Sequence, residues 1–234
     1  MAGRAAIEKI VKEALSLGRR ALIEPEAKAV ISLASIPVPR HRVVKDMAGA
    51  IEAASGIGYP VALKLVSPDI LHKSDIGGVA LGIKDAGELE ASWSRMILGA
   101  ADEAPASIIE GFLIEEMAGK GTEVIVGGIR DAQFGPAVMF GLGGVAVELL
   151  KDVSFRLAPV SREEAFEMIS EVKSFPLLTG FRGGSHKDLD AITDVIMKVG
   201  RIMDEVSAIK ELEINPLVVY ERGALALDAR ALLV

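Results

Sequence analysis

The chain has no cysteine in its 234 residues, so it holds no disulfide framework and no thiolate metal site. Aromatic residues are scarce, with seven Phe, two Tyr and one Trp, and the net charge is -7. Both features argue against nucleic acid as a partner, since few rings are available for base stacking and the average field repels phosphate backbones. No apolar run approaches the roughly 20 residues of a membrane-spanning helix, because charged side chains interrupt each one. The N-terminus, MAGRAAIEKIVKEALSLGRR, lacks the apolar stretch and small-residue cleavage site of a secretory signal, and Glu8 and Glu13 argue against a transit peptide. The pattern GxxxxGK[ST] is also missing, so phosphate binding would need another device. What is present is half apolar and one quarter charged, the composition of a folded protein. A soluble cytoplasmic chain is expected, long enough for one large domain or two compact lobes.

Apolar positions set out the elements. Ile7, Ile10, Val11, Ala14 and Leu15 recur at helical spacing and predict a helix ending near Gly18, and Ala27, Val30, Ile31 and Ala34 predict a second. Ile36 to Pro39 is extended, because each proline disfavours the helical conformation in the residue before it. Asp46 caps a helix that Gly56 ends, and strands follow at Val61 to Val66 and Val79 to Ile83, then a helix from about Asp85 to Ala101. From Phe112 the strands are closely spaced, at Phe112 to Met117, Glu123 to Ile129 and Ala137 to Phe140, which predicts a largely antiparallel sheet. Ser161 with Glu164 makes a capping box, and Asp188 opens a long amphipathic helix through Ile192, Val195, Ile196, Val199, Ile202, Met203 and Val206. A hairpin turning through Glu221-Arg222-Gly223 closes the chain.

Three constellations carry candidate chemistry. Lys64 stands in a β-branched apolar strand, where a buried ammonium needs an anion, either a nearby carboxylate or a ligand phosphate. Glu211, Glu213 and Asn215 alternate along one strand and share a face, with Asp228 across the hairpin. Converging oxygens of this kind suit magnesium, and a solvated sheet face is the alternative. Gly141, Gly143, Gly144 and Ala146 satisfy a loose dinucleotide-binding pattern, but the strands around them are not spaced as a βαβ unit, and a backbone nest or a turn fits better.

The segments YPVALKL, LHKSDIGGV, FLIEEMAGKGTEVIVGGIRDAQFGP, GLGG followed by Glu148, FRGG and ELEINPLVVYERGALALDAR occur in this order. Together they resemble the ATP-grasp subunit of ADP-forming acyl-CoA synthetases over essentially the whole chain, and the hairpin is similar to that of succinyl-CoA synthetase β subunits. The resemblance implies an α/β (α+β) ATP-grasp fold of two αβ lobes that grasp ATP or ADP with Mg2+. The expected segments are an N-terminal helical stretch over residues 1–35, a first lobe over 36–111 and a second over 112–234. Lys64 would hold phosphates, with Lys45 a weaker second cation. Backbone groups of Glu115, Glu116 and Met117 would read the adenine edge, and strand alternation turns one of the two glutamates inward. Glu123 would meet the ribose hydroxyls, and Glu213, Asn215 and Asp228 would ligate magnesium.

Only three histidines occur, and His72 lies in a polar loop between two predicted strands. In the resembling enzymes a histidine here relays phosphate, its imidazole attacking a phosphoryl group in line. Asp75 is a candidate to orient the ring, Glu148 to orient a phosphohistidine or support the glycine loop, and Arg182 to clamp the transferring phosphate. His41 and His186 read as structural or exposed. The resemblance further implies an α subunit carrying the CoA-binding domain and a second phosphorylated histidine, in an α2β2 assembly whose partner selects most of the acyl group. Helices of the first thirty-five residues are candidates for packing on it. Two other readings stand beside this one. An ATP-grasp carboxylate ligase forming a free acyl phosphate would not need His72, and a regulatory module would lack catalysis.

Overall fold

A computed structural model of the chain describes residues 3–70, 73–143 and 152–234. The chain divides into two compact units, Pro39–Gly119 and the combination of Met1–Val38 with Lys120–Val234. Helices α1 (Arg4–Ser16) and α2 (Glu24–Leu33) come first. The turn after α1 passes through Gly18 at a left-handed φ of 74°, which a residue with a Cβ adopts only at a cost. Helix α2 starts on a first-turn proline, and Glu26 accepts from the backbone N–H of Ile23 while Arg19 grips its carboxylate at 2.8 and 2.6 Å.

The smaller unit is a four-stranded antiparallel sheet in the order β1-β4-β2-β3. It contains β1 (His41–Val44), α3 (Met47–Ile57), β2 (Val61–Val66), β3 (Val79–Ile83), α4 (Ala86–Glu103) and β4 (Gly111–Glu116). The side chains of Asp46 and Asp85 cap α3 and α4 by accepting from Gly49 and Glu88. Val61, Leu63 and Leu65 pack with Phe112 and Ile114 against Ala50, Ala53, Leu89, Trp93 and Met96 of those helices. Strand β4 was expected to open the second lobe. It lies instead between β1 and β2, because Phe112 and Ile114 complete this core and Leu113 pairs with both Val43 and Lys64.

The larger unit holds a six-stranded antiparallel sheet, β10-β8-β5-β6-β7 with β9 beside β8. Its strands are β5 (Thr122–Asp131), β6 (Gly135–Leu142), β7 (Val153–Leu157), β8 (Ile209–Val219), β9 (Ala224–Ala226) and β10 (Ala229–Leu233). Helices α5 (Arg162–Glu171) and α6 (Leu189–Glu205) supply Met168, Ile169 and the stripe Ile192, Val195, Ile196, Val199, Ile202 and Met203. That stripe packs on Val124, Val126, Val138, Phe140, Leu212 and Ile214, and each such fully buried side chain stabilises the fold by about 1.5–3 kcal/mol. Gly128 lets α6 come close, since a Cβ there would lie 2.4 Å from Met203 Cγ.

The first thirty-five residues do not form a separate segment. Ile7, Val11, Ala14, Ala27, Val30 and Ile31 belong to the core of the larger unit, and Leu22 N–H donates to Ala231 O at 2.9 Å beside β10. Lys28, fully buried in α2, is neutralised by Glu24 one turn earlier at 2.9 Å. No helix among the described residues is long and apolar enough to cross a membrane.

Candidate functional site

In the smaller unit, alternation along β2 sends Val61, Leu63 and Leu65 to the helices and Lys64 to the opposite face. Leu113 of β4 stands opposite Lys64, and Glu115 shares the Leu113 face two residues on. The Lys64 ammonium reaches diagonally to Glu115 Oε1 at 3.0 Å, and the two residues are 7% and 3% exposed. The anion that the buried lysine requires is therefore a carboxylate on the neighbouring strand. Glu115 is the inward member of its pair. Glu116 points the other way and takes Arg40 Nε at 3.0 Å and Nη2 at 3.1 Å, while its backbone N–H donates to Arg40 O at 2.9 Å. The Arg40 hydrogen bond holds the Glu116 carboxyl below the usual glutamate range.

Met117 Sδ accepts a long hydrogen bond from Gly82 N–H at 3.4 Å. Lys45 sits exposed in the bend between β1 and α3, without an ion pair among the described residues. His41 is tied to its own strand entrance, with Nδ1 2.8 Å from Pro39 O. His72 lies outside the described residues. Just after it, Lys73–Ile76 form a 3-10 turn in which Asp75 is exposed.

In the larger unit, Leu212 and Ile214 face the α6 core, so Glu211, Glu213 and Asn215 share the other face of β8. Asn215 Nδ2 donates to Glu213 Oε1 at 3.1 Å, which leaves the amide oxygen to act as an acceptor. Asn215 N–H donates to Asp228 O at 3.2 Å, and Asp228 Oδ1 accepts from Ala229 N–H at 2.8 Å. This donor set, two carboxylates and one amide, contains only hard oxygens and fits a magnesium ion that keeps part of its water shell. Among the described residues no group of three or more His, Cys, Asp or Glu side chains has metal-binding geometry. The candidate set falls short of that count because its third member is Asn215.

Glu123 is exposed at the start of β5, and its carbonyl accepts from Gly143 N–H at 2.8 Å. A Cβ on Gly143 would lie 3.1–3.2 Å from Glu123 atoms, so the glycine seats that residue closely. Gly144, Ala146 and Glu148 lie outside the described residues. Arg182 adopts a left-handed conformation, φ 53° and ψ 35°, uncommon for a residue with a Cβ. Its guanidinium lies 5.3 Å from the centre of the Phe181 ring, a cation–π contact. Sequence reasoning missed Arg40. Finding it required recognising β1, whose entrance lies opposite Glu116.

A family model described as ATP-grasp domain matches residues 13–233. The chain belongs to the ATP-grasp family. It is 46% identical over 230 residues to the β subunit of acetate–CoA ligase (ADP-forming) I of Pyrococcus furiosus, covering 98% of this chain and 99% of that subunit. Its fold matches the dinucleotide-forming acetyl-coenzyme A synthetase 1 of Ca. Korarchaeum cryptofilum, solved with coenzyme A, Ca-AMPCP and HgCl+. That match has a TM-score of 0.95 at 45% identity and covers 97% of this chain and 99% of the other. A second structure of the Korarchaeum synthetase, with coenzyme A and Mg-AMPPCP and its phosphohistidine segment pointing towards the nucleotide-binding site, matches with a TM-score of 0.86 at 42% identity. It covers 97% of this ATP-grasp chain and all of the other.

Proposed function

We propose that the chain is the nucleotide-binding β-type subunit of an ADP-forming acyl-CoA synthetase. With a partner it catalyses acyl-CoA + ADP + phosphate ⇌ carboxylic acid + ATP + CoA. The observation that carries this reading is the 46% identity to the ligase β subunit, sustained over 98% of this chain and 99% of that subunit.

Each candidate residue takes a role that its chemistry permits. Lys64 exchanges the Glu115 carboxylate for phosphate oxygens, and Lys45 adds a second cation. Backbone groups of Glu115 to Met117 read the adenine edge, and Glu123 accepts from the ribose hydroxyls. Glu213, Asn215 and Asp228 would hold magnesium, which when bound neutralises charge on phosphate oxygens.

The His72 imidazole attacks the phosphoryl phosphorus. A P–N bond forms as the P–O bond to the leaving group breaks, and the leaving oxygen keeps the electron pair. Asp75 and Glu148 orient the ring, and Arg182 steadies the transferring group. The partner carries the CoA-binding domain and a second phosphorylated histidine, in an α2β2 assembly located in the cytoplasm.

The test is co-expression with the CoA-binding partner and measurement of ATP formed from acetyl-CoA or other acyl-CoA thioesters, ADP and phosphate. Activity in the pair and in neither chain alone is the expected result. Inactivity of the pair across acyl groups, or ATP-dependent ligation of a carboxylate to an amine by this chain alone, would overturn the reading.

A further inference from the structure

The larger unit carries a cavity of about 440 Å³ that no part of the proposed reaction uses, lined by Lys120, Ser185, Lys187, Tyr220, Glu221 and Arg222. Three separate segments build it, and each brings one cation. In a chain of net charge -7 that convergence runs against the average composition. The lining holds three cations and one carboxylate.

The backbone around the cavity is fixed by interlocking bonds. Asp188 N–H donates to Tyr220 O at 2.9 Å, and the Asp188 carboxylate accepts from Gly223 N–H at 2.7 Å and Ala191 N–H at 2.9 Å. Lys187 N–H donates to Leu178 O at 2.8 Å, and Tyr220 N–H to Gly223 O at 3.0 Å. The third segment is held by contact, since a Cβ on Gly121 would lie 2.7 Å from Val219 O and 3.2 Å from the Tyr220 ring. The Asp188 carboxylate is thus engaged by backbone donors, and no ion pair joins it to a cation of the cavity.

The Lys187 ammonium donates to the neutral Ser185 hydroxyl at 2.8 Å, and among the described residues Lys120 and Arg222 have no ion pair. Three cations on a fixed frame, next to two hydroxyl-bearing side chains, match a ligand with several anionic oxygens. We infer that this cavity binds a phosphate-class oxyanion, the phosphate groups of a small phosphorylated metabolite, at a site distinct from Glu213, Asn215 and Asp228. Lys120 lies three residues before Glu123, so occupancy would steady the entrance to β5 and the residue proposed to meet the ribose.

The test titrates inorganic pyrophosphate into the full-length chain without magnesium and follows backbone amides by NMR. The expected result is saturable shifts at Lys120, Ser185, Lys187 and Arg222. Apparent affinity should fall about tenfold in Lys187→Ala and in Arg222→Ala, and should weaken with added salt. Asn215→Ala should leave this group of shifts unchanged, and thermal melting confirms that each variant is folded. Shifts confined to the Glu213 and Asn215 region, pocket shifts that persist in both cation variants, or no saturable shift at all would overturn the inference. None of these outcomes bears on the acyl-CoA synthetase reading, which rests on ATP formation.

Discussion

Lys64 and Glu115 form a buried ion pair at 3.0 Å on the face of the smaller sheet that turns away from its helices. Removing one partner strands the other, which costs about 3–5 kcal/mol, whereas replacing both by apolar side chains of similar size is often nearly neutral. Lys64→Met should therefore destabilise the protein strongly, and Lys64→Met with Glu115→Leu should recover most of the loss. Nucleotide affinity should stay low in both. Denaturant melts beside a nucleotide titration check this, and recovery of nucleotide binding in the double variant would show that Lys64 does not touch phosphate.

Asn215 is exposed and bonded to Glu213, so its loss should cost little in folding. Asn215→Ala is expected to change stability by no more than about 0.5 kcal/mol. Affinity for the magnesium–nucleotide complex should drop by roughly tenfold or more, the effect of one lost charge-assisted contact. Binding of the nucleotide in the presence of a chelator should be unchanged. Calorimetry with and without magnesium separates these quantities.

Asp188 joins two elements, capping α6 through Ala191 and holding the closing hairpin through Gly223. Backbone hydrogen bonds from Gly223 and Ala191 lower its pKa below the usual aspartate value. A group depressed in the folded state contributes stability above its unfolded pKa, about 3.9, and the contribution is lost as pH falls through the folded value. Asp188→Ala should cost about 1–2 kcal/mol near neutral pH. The gap from wild type should narrow only below about pH 4. Melts across pH 3 to 7 test the sign, and a gap that widens in acid would contradict it.

Gly128 and its neighbour Gly127 face opposite sides of β5. A Cβ at Gly128 would meet Met203 Cγ at 2.4 Å, while at Gly127 the nearest atom, Met139 Cε, lies at an ordinary 3.4 Å. Gly128→Ala should cost about 1–3 kcal/mol by overpacking against α6. Gly127→Ala should cost less, and equal losses in thermal melts would place the constraint in the backbone rather than in helix packing.

Much of this fold was legible because single residues announce element ends. Asp46, Ser161 and Asp188 cap the helices they were expected to cap, and Val61–Val66 and Val79–Ile83 are strands with the expected bounds. Three strands were missed for a common reason. His41–Val44, Val153–Leu157 and Ala229–Leu233 are only four or five residues long, and their identity as strands depends on partners distant in sequence.

Missing β1 and β10 had consequences for the site. Without β1 there was no partner for Glu116, and without β10 there was no Arg230 opposite Glu213. Alternation predicted that one of Glu115 and Glu116 turns inward. The identity of the Lys64 anion required the register of β2 against β4, which no local pattern encodes.

The proposed reaction turns on phosphoryl relay through His72. Its most direct measurement is incubation of the chain with magnesium and γ-phosphate-labelled ATP, with the CoA-binding partner present, in wild type and His72→Ala. Acid-labile, base-stable label is expected on this chain in wild type and should vanish in the variant. Equal label in both, or none in wild type despite demonstrated ATP binding, would contradict it.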